Sequence, residues 1–417
     1  MKNQIVKALL ALGLVSQIAC EKPKATDGIE SGTKTQVYAS ATMTADALVE
    51  AGEQLVTPSQ FMNADLIFDM ALDKDPTNLK AQFYKKLLGS FMVNKGILSR
   101  IKPLVRKYGN IVEYEKTLSN LPEVAATRFL VDAAEDMETV KDIQDYFSKY
   151  QMAINDFRKF LILNQDQEMT IEISATQIEN LFKQGAESYE CTQISDSKDT
   201  YHFECDFKNI AKRKLTTPDF MAIRQMLSGY VFFLNFYTAY SFEGIEVLKD
   251  LQIKDGTSQN QVLALINQKF PNLGKLRSQN LLKETISMGS DLVSAGRWAV
   301  TYQNKLCPNG IETAHQRKGY LFHKGICIQH ADEVLRSLAL MEQVLTSTMK
   351  VKIVANQPEF ELDYAAFFKN PINDLFILAP ETYNSCGEAT SWKDKTLGGL
   401  FVNGDADKAI IASKNCK

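Results

Sequence analysis

The sequence predicts a mainly α protein, with paired helices at the N-terminal end and a disulfide-stapled helical domain carrying a small β-sheet after them. Three observations predict it. Small residues that permit close helix contact stand among apolar ones through residues 45–78. Apolar residues three and four apart run through residues 140–161. Six cysteines, an even number, fall after residue 190. The order drawn from them is a leader over residues 1–19, a flexible tether over 20–44, paired helices over 45–164 and the stapled domain over 165–417. At 45% apolar and 23% charged residues the composition excludes both wholesale disorder and a polytopic membrane protein. Lys plus Arg is 47 and Asp plus Glu is 50. A chain this near to balance, with no dominant basic stripe, does not fit a nucleic-acid binder.

Lys2 and Lys7 precede an apolar run over residues 8–15. That run is a secretory leader, too short for a bilayer span of about 20 apolar residues. It ends in Ser16-Gln17-Ile18-Ala19-Cys20, which resembles the bacterial lipoprotein signal; Gln17 stands where that family usually has an aliphatic residue. The resemblance implies cleavage before Cys20, lipid attachment to it and an exported, membrane-anchored protein. Glu21, in place of Asp, implies sorting to the outer membrane. Residues 21–41, rich in Lys, Thr, Ser, Gly and Ala, read as a flexible link between anchor and folded body.

Gly52, Ala64, Phe68, Ala71 and Pro76 follow one another at intervals of 12, 4, 3 and 5. Residues 45–78 thereby resemble one tetratricopeptide (TPR) repeat, whose pattern has those residue types at those intervals. The resemblance implies two antiparallel helices brought close by Gly52 and Ala64. Phe68 and Ala71 then face the next helix, near Phe83 or Leu87, and Asp75-Pro76 stops the second helix. One such pair cannot bury its own face, so residues 79–93 are expected to continue the array. The function implied is a scaffold that offers a helical surface to an envelope protein or peptide. Residues 83–103 also resemble, in outline, the TPR lipoproteins associated with transporters, which implies the alternative of an apolar-ligand carrier or receptor.

Val140, Ile143, Phe147, Tyr150, Ile154, Phe157 and Leu161 form one apolar stripe, expected to pack on the preceding helix over 124–134. Residues 169–173 alternate as a strand, and 187–194 with 201–207 read as a hairpin. Strands are also expected at 351–354 and 360–363. The sequence Thr216-Thr217-Pro218-Asp219 starts a helix that runs without a charged residue from 226 to 242. That run is only half apolar, so a buried helix is expected rather than a membrane span. Its residues Tyr230, Phe232, Phe233, Phe236, Tyr237 and Tyr240 are the candidate walls of an apolar-ligand pocket, set against a plain core role. Ser287, Gly289, Ser290, Ser294, Ala295 and Gly296 predict close helix contact in the next long helix.

In an exported chain Cys191, Cys205, Cys307, Cys327, Cys386 and Cys416 argue for three disulfides. Fifteen connectivities are possible; sequential pairing is the simplest, with Cys191 and Cys205 clamping the hairpin. The rival is a metal site from His315, His323, His330, Cys307 and Cys327, whose spacing matches no standard zinc pattern. Asp405 and Asp407 read as a solvated turn, and Lys208, Lys212, Arg213 and Lys214 as an exposed face. No nucleophile elbow, phosphate loop or metalloprotease motif occurs. The expectation is a binding protein, with no cofactor, metal or catalytic site.

Overall fold

The computed structural model describes residues 42–56, 60–121, 125–167, 169–173, 190–197, 200–206, 213–215, 217–250, 258–306, 331–352, 359–384, 386 and 388–409. The leader, Cys20, most of the tether, Cys307, Cys327, Cys416 and the three histidines of the metal reading lie outside them. The chain is mainly helical. It divides into two compact units, residues 1–138 with 174–210 and residues 139–173 with 211–417.

In the first unit, α1 (Ala45–Gln54), α2 (Phe61–Lys74) and α3 (Leu79–Met92) follow one another. Thr44 starts α1 by accepting the Ala47 amide, and Asn78 starts α3 by accepting the Ala81 amide. At the end of α2 the Asp75 carboxylate accepts the Thr77 hydroxyl at 2.7 Å and its amide at 2.9 Å, forming a turn with Pro76 inside it. Then the array loosens. Gly96, at φ 67°, leads into α4 (Ile97–Arg100), and Pro103 stands in the first turn of α5 (Lys102–Tyr108). Two short pieces thus stand after α3, because a proline suits a helix start and breaks a helix interior. Helices α6 (Ile111–Ser119) and α7 (Ala125–Val131) follow among the described residues of this unit. Its hairpin, β2 (Glu190–Ser197) with β3 (Thr200–Asp206), is antiparallel and places Cys191 directly opposite Cys205.

The second unit is built on α8 (Val140–Leu163), α9 (Thr217–Ala239) and α11 (Gln279–Leu306), with α9 lying along both of the others. Gln259–Lys269 forms α10, and α12 (Ala331–Thr346) packs on α11. Within this unit α8 packs along α9. Its buried face is rotated from the apolar seam, for Gln144, Gln151 and Arg158 are buried while Phe147 and Tyr150 are only partly so. Helix α8 belongs to the second compact unit. The small residues of α11 do meet neighbours closely: a Cβ on Gly289 would lie 2.6 Å from Leu345, and one on Gly296 2.3 Å from Gln225.

The expected single small sheet resolves into separate two-stranded antiparallel ribbons. β1 (Ile171–Ile173) pairs with β4 (Arg213–Leu215), setting Ile171 opposite Leu215. β5 (Met349–Val351) pairs with β6 (Phe360–Leu362), and β7 (Pro380–Tyr383) with β8 (Ala389–Trp392). Two strands alone are marginal in water. The β5–β6 ribbon gains its support from Phe360 and Leu362, buried with Phe401 and Ala406.

Candidate protein-binding surface

The surface is built from α1 to α3. Ala64 and Ala71 are fully buried on α2, as is Phe68 between them. Gly52 makes room for that phenylalanine: a Cβ there would lie 2.7 Å from the Phe68 ring. On its way to the next helix the same ring stacks on Tyr84 of α3, with centroids 4.8 Å apart and planes 4° apart. One side chain therefore ties three successive helices. The neighbour of Phe68 on α3 is Tyr84, next to the expected Phe83, which meets Tyr84 edge-on at 5.5 Å. Phe61 extends the stack by contacting Phe91 of α3 at 5.8 Å and Phe129 of α7 at 5.4 Å.

Polar contacts fix the same register. The Asn78 side chain donates to Asp46 at 2.9 Å, joining the starts of α3 and α1. Lys85 forks to Asp65 at 2.7 Å and Asp69 at 2.9 Å, joining α3 to α2. Burial, then the nearby Glu53 carboxylate, pushes the Tyr84 phenol well above its ordinary value. On the outer side of α2, Met62 and Leu66 stand one turn apart and are 71% and 61% exposed. Asp69 and Asp73 continue that face at helical spacing.

Beyond α3 the chain closes on itself. Lys95, Arg100 and Arg106 pair with Asp132 at 3.5 Å, Asp136 at 2.8 Å and Glu135 at 2.9 Å. The backbone of this acidic segment is held too: Ser99 donates to the Val131 carbonyl at 2.6 Å and the Met137 amide to the Arg100 carbonyl at 2.9 Å. Arg100 of α4 and Arg106 of α5 are thus matched by acids of the same unit.

The aromatic residues of α9 do not form one wall. Phe232, Phe236 and Tyr240, four apart, turn inward. Phe232 meets Phe368 at 5.8 Å, Phe236 meets Phe367 at 6.1 Å, and Tyr240 is fully buried with its hydroxyl donating to the Ile372 carbonyl at 2.9 Å. Burial raises that phenol to about 12. Phe233 and Tyr237 point outward, 58% and 44% exposed, and Tyr230 is half-buried. Aromatic residues spread this densely along a helix must occupy more than one face. The inward set is packed ring on ring, as core. No described helix is long and apolar enough to cross a membrane.

Sequence reading missed the polar spine of the second unit. Gln144 donates to the carbonyls of Tyr237 at 2.8 Å and Tyr240 at 2.7 Å and accepts the Phe242 amide at 2.9 Å, closing the end of α9. Gln151 donates to Asn235 at 2.8 Å, which donates to the Leu281 carbonyl at 3.0 Å. Asp291 on α11 accepts from Arg158 on α8 at 2.8 Å, and from Arg224 at 2.9 Å and Ser228 at 2.5 Å on α9. Burial would raise the Asp291 carboxyl; hydrogen bonds from Arg224, Ser228 and Arg158 outweigh it and hold the group below the usual carboxylate range. One signal was available. Gln144, Gln151 and Arg158 recur every seven residues on one helix.

Among the described residues no cluster of His, Cys, Asp and Glu could hold a metal. Cys386 is disulfide-bonded. No family model, curated protein or solved structure matches the chain.

Proposed function

We propose that the protein is a lipid-anchored envelope scaffold that presents its N-terminal TPR-like helices to a protein or peptide partner. The observation that carries this reading is the Gly52–Phe68–Tyr84 contact, which supplies the close approach and helix-to-helix continuity that the residue pattern calls for. Met62 and Leu66 give that surface an exposed apolar ridge, the kind of feature a partner helix or peptide covers. The anchor is Cys20, by resemblance to the lipoprotein signal, and residues 20–44 provide reach from an outer membrane. Cys191 and Cys205, opposite each other on β2 and β3, are placed for a bridge, and the disulfide at Cys386 agrees with an oxidising compartment. No catalytic role is assigned. The test is co-purification of the native lipoprotein with its envelope partners, beside a Leu66→Asp form of the same protein. A partner retained by the parent and lost from the variant supports the reading; equal recovery from both removes α2 from the interface.

A further inference from the structure

A cleft of about 290 Å³ opens in the second unit where Phe367, Leu378, Trp392, Leu397 and Leu400 meet. We infer that this cleft is a binding site for the alkyl chain of a small amphiphile, a site independent of the scaffold surface on α1 to α3.

The walls decide the class of ligand. All five residues are apolar, and almost no polar surface faces the space. Ordered water needs two to four polar partners, so water is poorly held there. The volume accommodates roughly ten groups of about 30 Å³ each, the space a water molecule takes in the liquid. Part of that volume is the open mouth, so about ten carbons is an upper bound on the chain the cleft can hold. No charged residue is among the described residues that line the cleft, so the polar head of such a molecule stays at the open mouth, in water.

The walls are also built in advance. Trp392, Leu397 and Leu400 rest on the Phe360–Phe401 core and remain partly exposed. Asp394 holds the turn that carries Leu397: its carboxylate accepts the Thr396 amide at 2.9 Å, the Thr396 hydroxyl at 2.7 Å and the Gly398 amide at 2.6 Å. The Thr396 hydroxyl in turn accepts the Gly399 amide at 3.0 Å. Asp407 accepts the Trp392 amide at 2.8 Å and pairs with Lys395. Leu397 itself has φ 48°, and among the described residues it is the one non-glycine with positive φ. It stands beside Gly398 at φ 72° and Gly399 at φ 87°. Glycine would adopt this conformation without strain, so a leucine here trades backbone comfort for a side chain in the cleft wall. Backbone outliers of this kind gather at ligand clamps.

The chain has two tryptophans, Trp298 and Trp392, which makes the test direct. Trp298→Phe leaves Trp392 as the sole indole, and it lines the cleft. This variant of the full chain is titrated with sodium decanoate, 1-octanol and, as a short control, sodium butanoate, all below micelle-forming concentrations. A saturable one-site change in Trp392 emission is expected for decanoate and octanol, with none for butanoate. Leu378→Glu in the same background puts a carboxylate in the wall and is expected to weaken binding at least tenfold with unchanged far-ultraviolet circular dichroism. Leu397→Gly, which removes a wall and relaxes the backbone, serves as the second variant should Leu378→Glu not fold, with the same loss expected. Phosphatidylcholine vesicles distinguish a free chain from a bilayer: binding of the free amphiphiles without vesicle association is expected. Absence of a saturable response to both long-chain probes, or an undiminished response in a folded wall variant, or association with vesicles in place of the free probes, overturns the inference.

Discussion

Removal of the Asp291 charge, by Asp291→Asn, is the most informative single perturbation of the second unit. Arg158 and Arg224 are 5% and 9% exposed, and Asp291 is the acid that both of them contact. The substitution keeps the side-chain shape and leaves two buried guanidinium groups facing a neutral amide. Taking one partner out of a buried ion pair costs about 3–5 kcal/mol, because the remaining charge is desolvated without compensation. For a unit of this size about 2–4 °C is lost per kcal/mol, so the transition should fall by roughly 6–20 °C. Urea and thermal denaturation followed by far-ultraviolet circular dichroism measure it. The pH dependence has a definite sign. Because the folded-state carboxyl sits below its ordinary value near 3.9, its contribution is fully present above that value and is lost as pH falls through the folded-state value. The gap between parent and variant should therefore be full at neutral pH and close in more acidic solution, below about pH 4. A second variant, Arg158→Met with Arg224→Met and Asp291→Leu, removes all three charges together and should cost less than Asp291→Asn alone. A loss below about 1 kcal/mol for Asp291→Asn, or a triple variant worse than the single one, would refute the view that these charges hold the three helices as a set.

Gly52→Ala should push a methyl group into a Phe68 ring that Tyr84 backs, costing roughly 1–3 kcal/mol; a melting temperature equal to the parent's would show that the ring can move aside. Ala64→Leu should cost a similar amount at a fully buried position, read by the same melting experiment, and full tolerance would dissolve the helix-pair reading of residues 45–78. Cys20→Ser should shift the protein from the membrane to the soluble fraction or leave it unprocessed, and unchanged fractionation and migration would end the lipoprotein proposal. Thiol titration of the denatured, unreduced mature protein should find no free cysteine; two or more thiols that bind zinc would favour the metal over the bridges.

The N-terminal helix pair was legible because each of its requirements falls on one residue at a fixed interval. Gly52 must be small, Phe68 must be large, and Asp75-Pro76 must stop α2; all three can be read without knowing what lies across from them. The starts of the helices at Thr44, Asn78 and Thr139 are local in the same way, since each cap bonds an amide within three residues. The helical class and the close-packed small residues of α11 follow from periodicity and size alone. The inner face of α8 was not legible. An apolar stripe points to a core only when burial is driven by apolar area, and Gln144, Gln151 and Arg158 are buried because Tyr237, Asn235 and Asp291 meet them from helices 84–133 residues away in sequence. Likewise, the aromatic residues of α9 announced burial, but tertiary packing alone decided which would face Phe367 and Phe368 and which water. The sequence by itself determined the elements and their ends, where short-range hydrogen bonds and side-chain volume act. Only the tertiary structure decided which polar groups could be buried, because the desolvation of each had to be offset by a partner that the local chain does not contain.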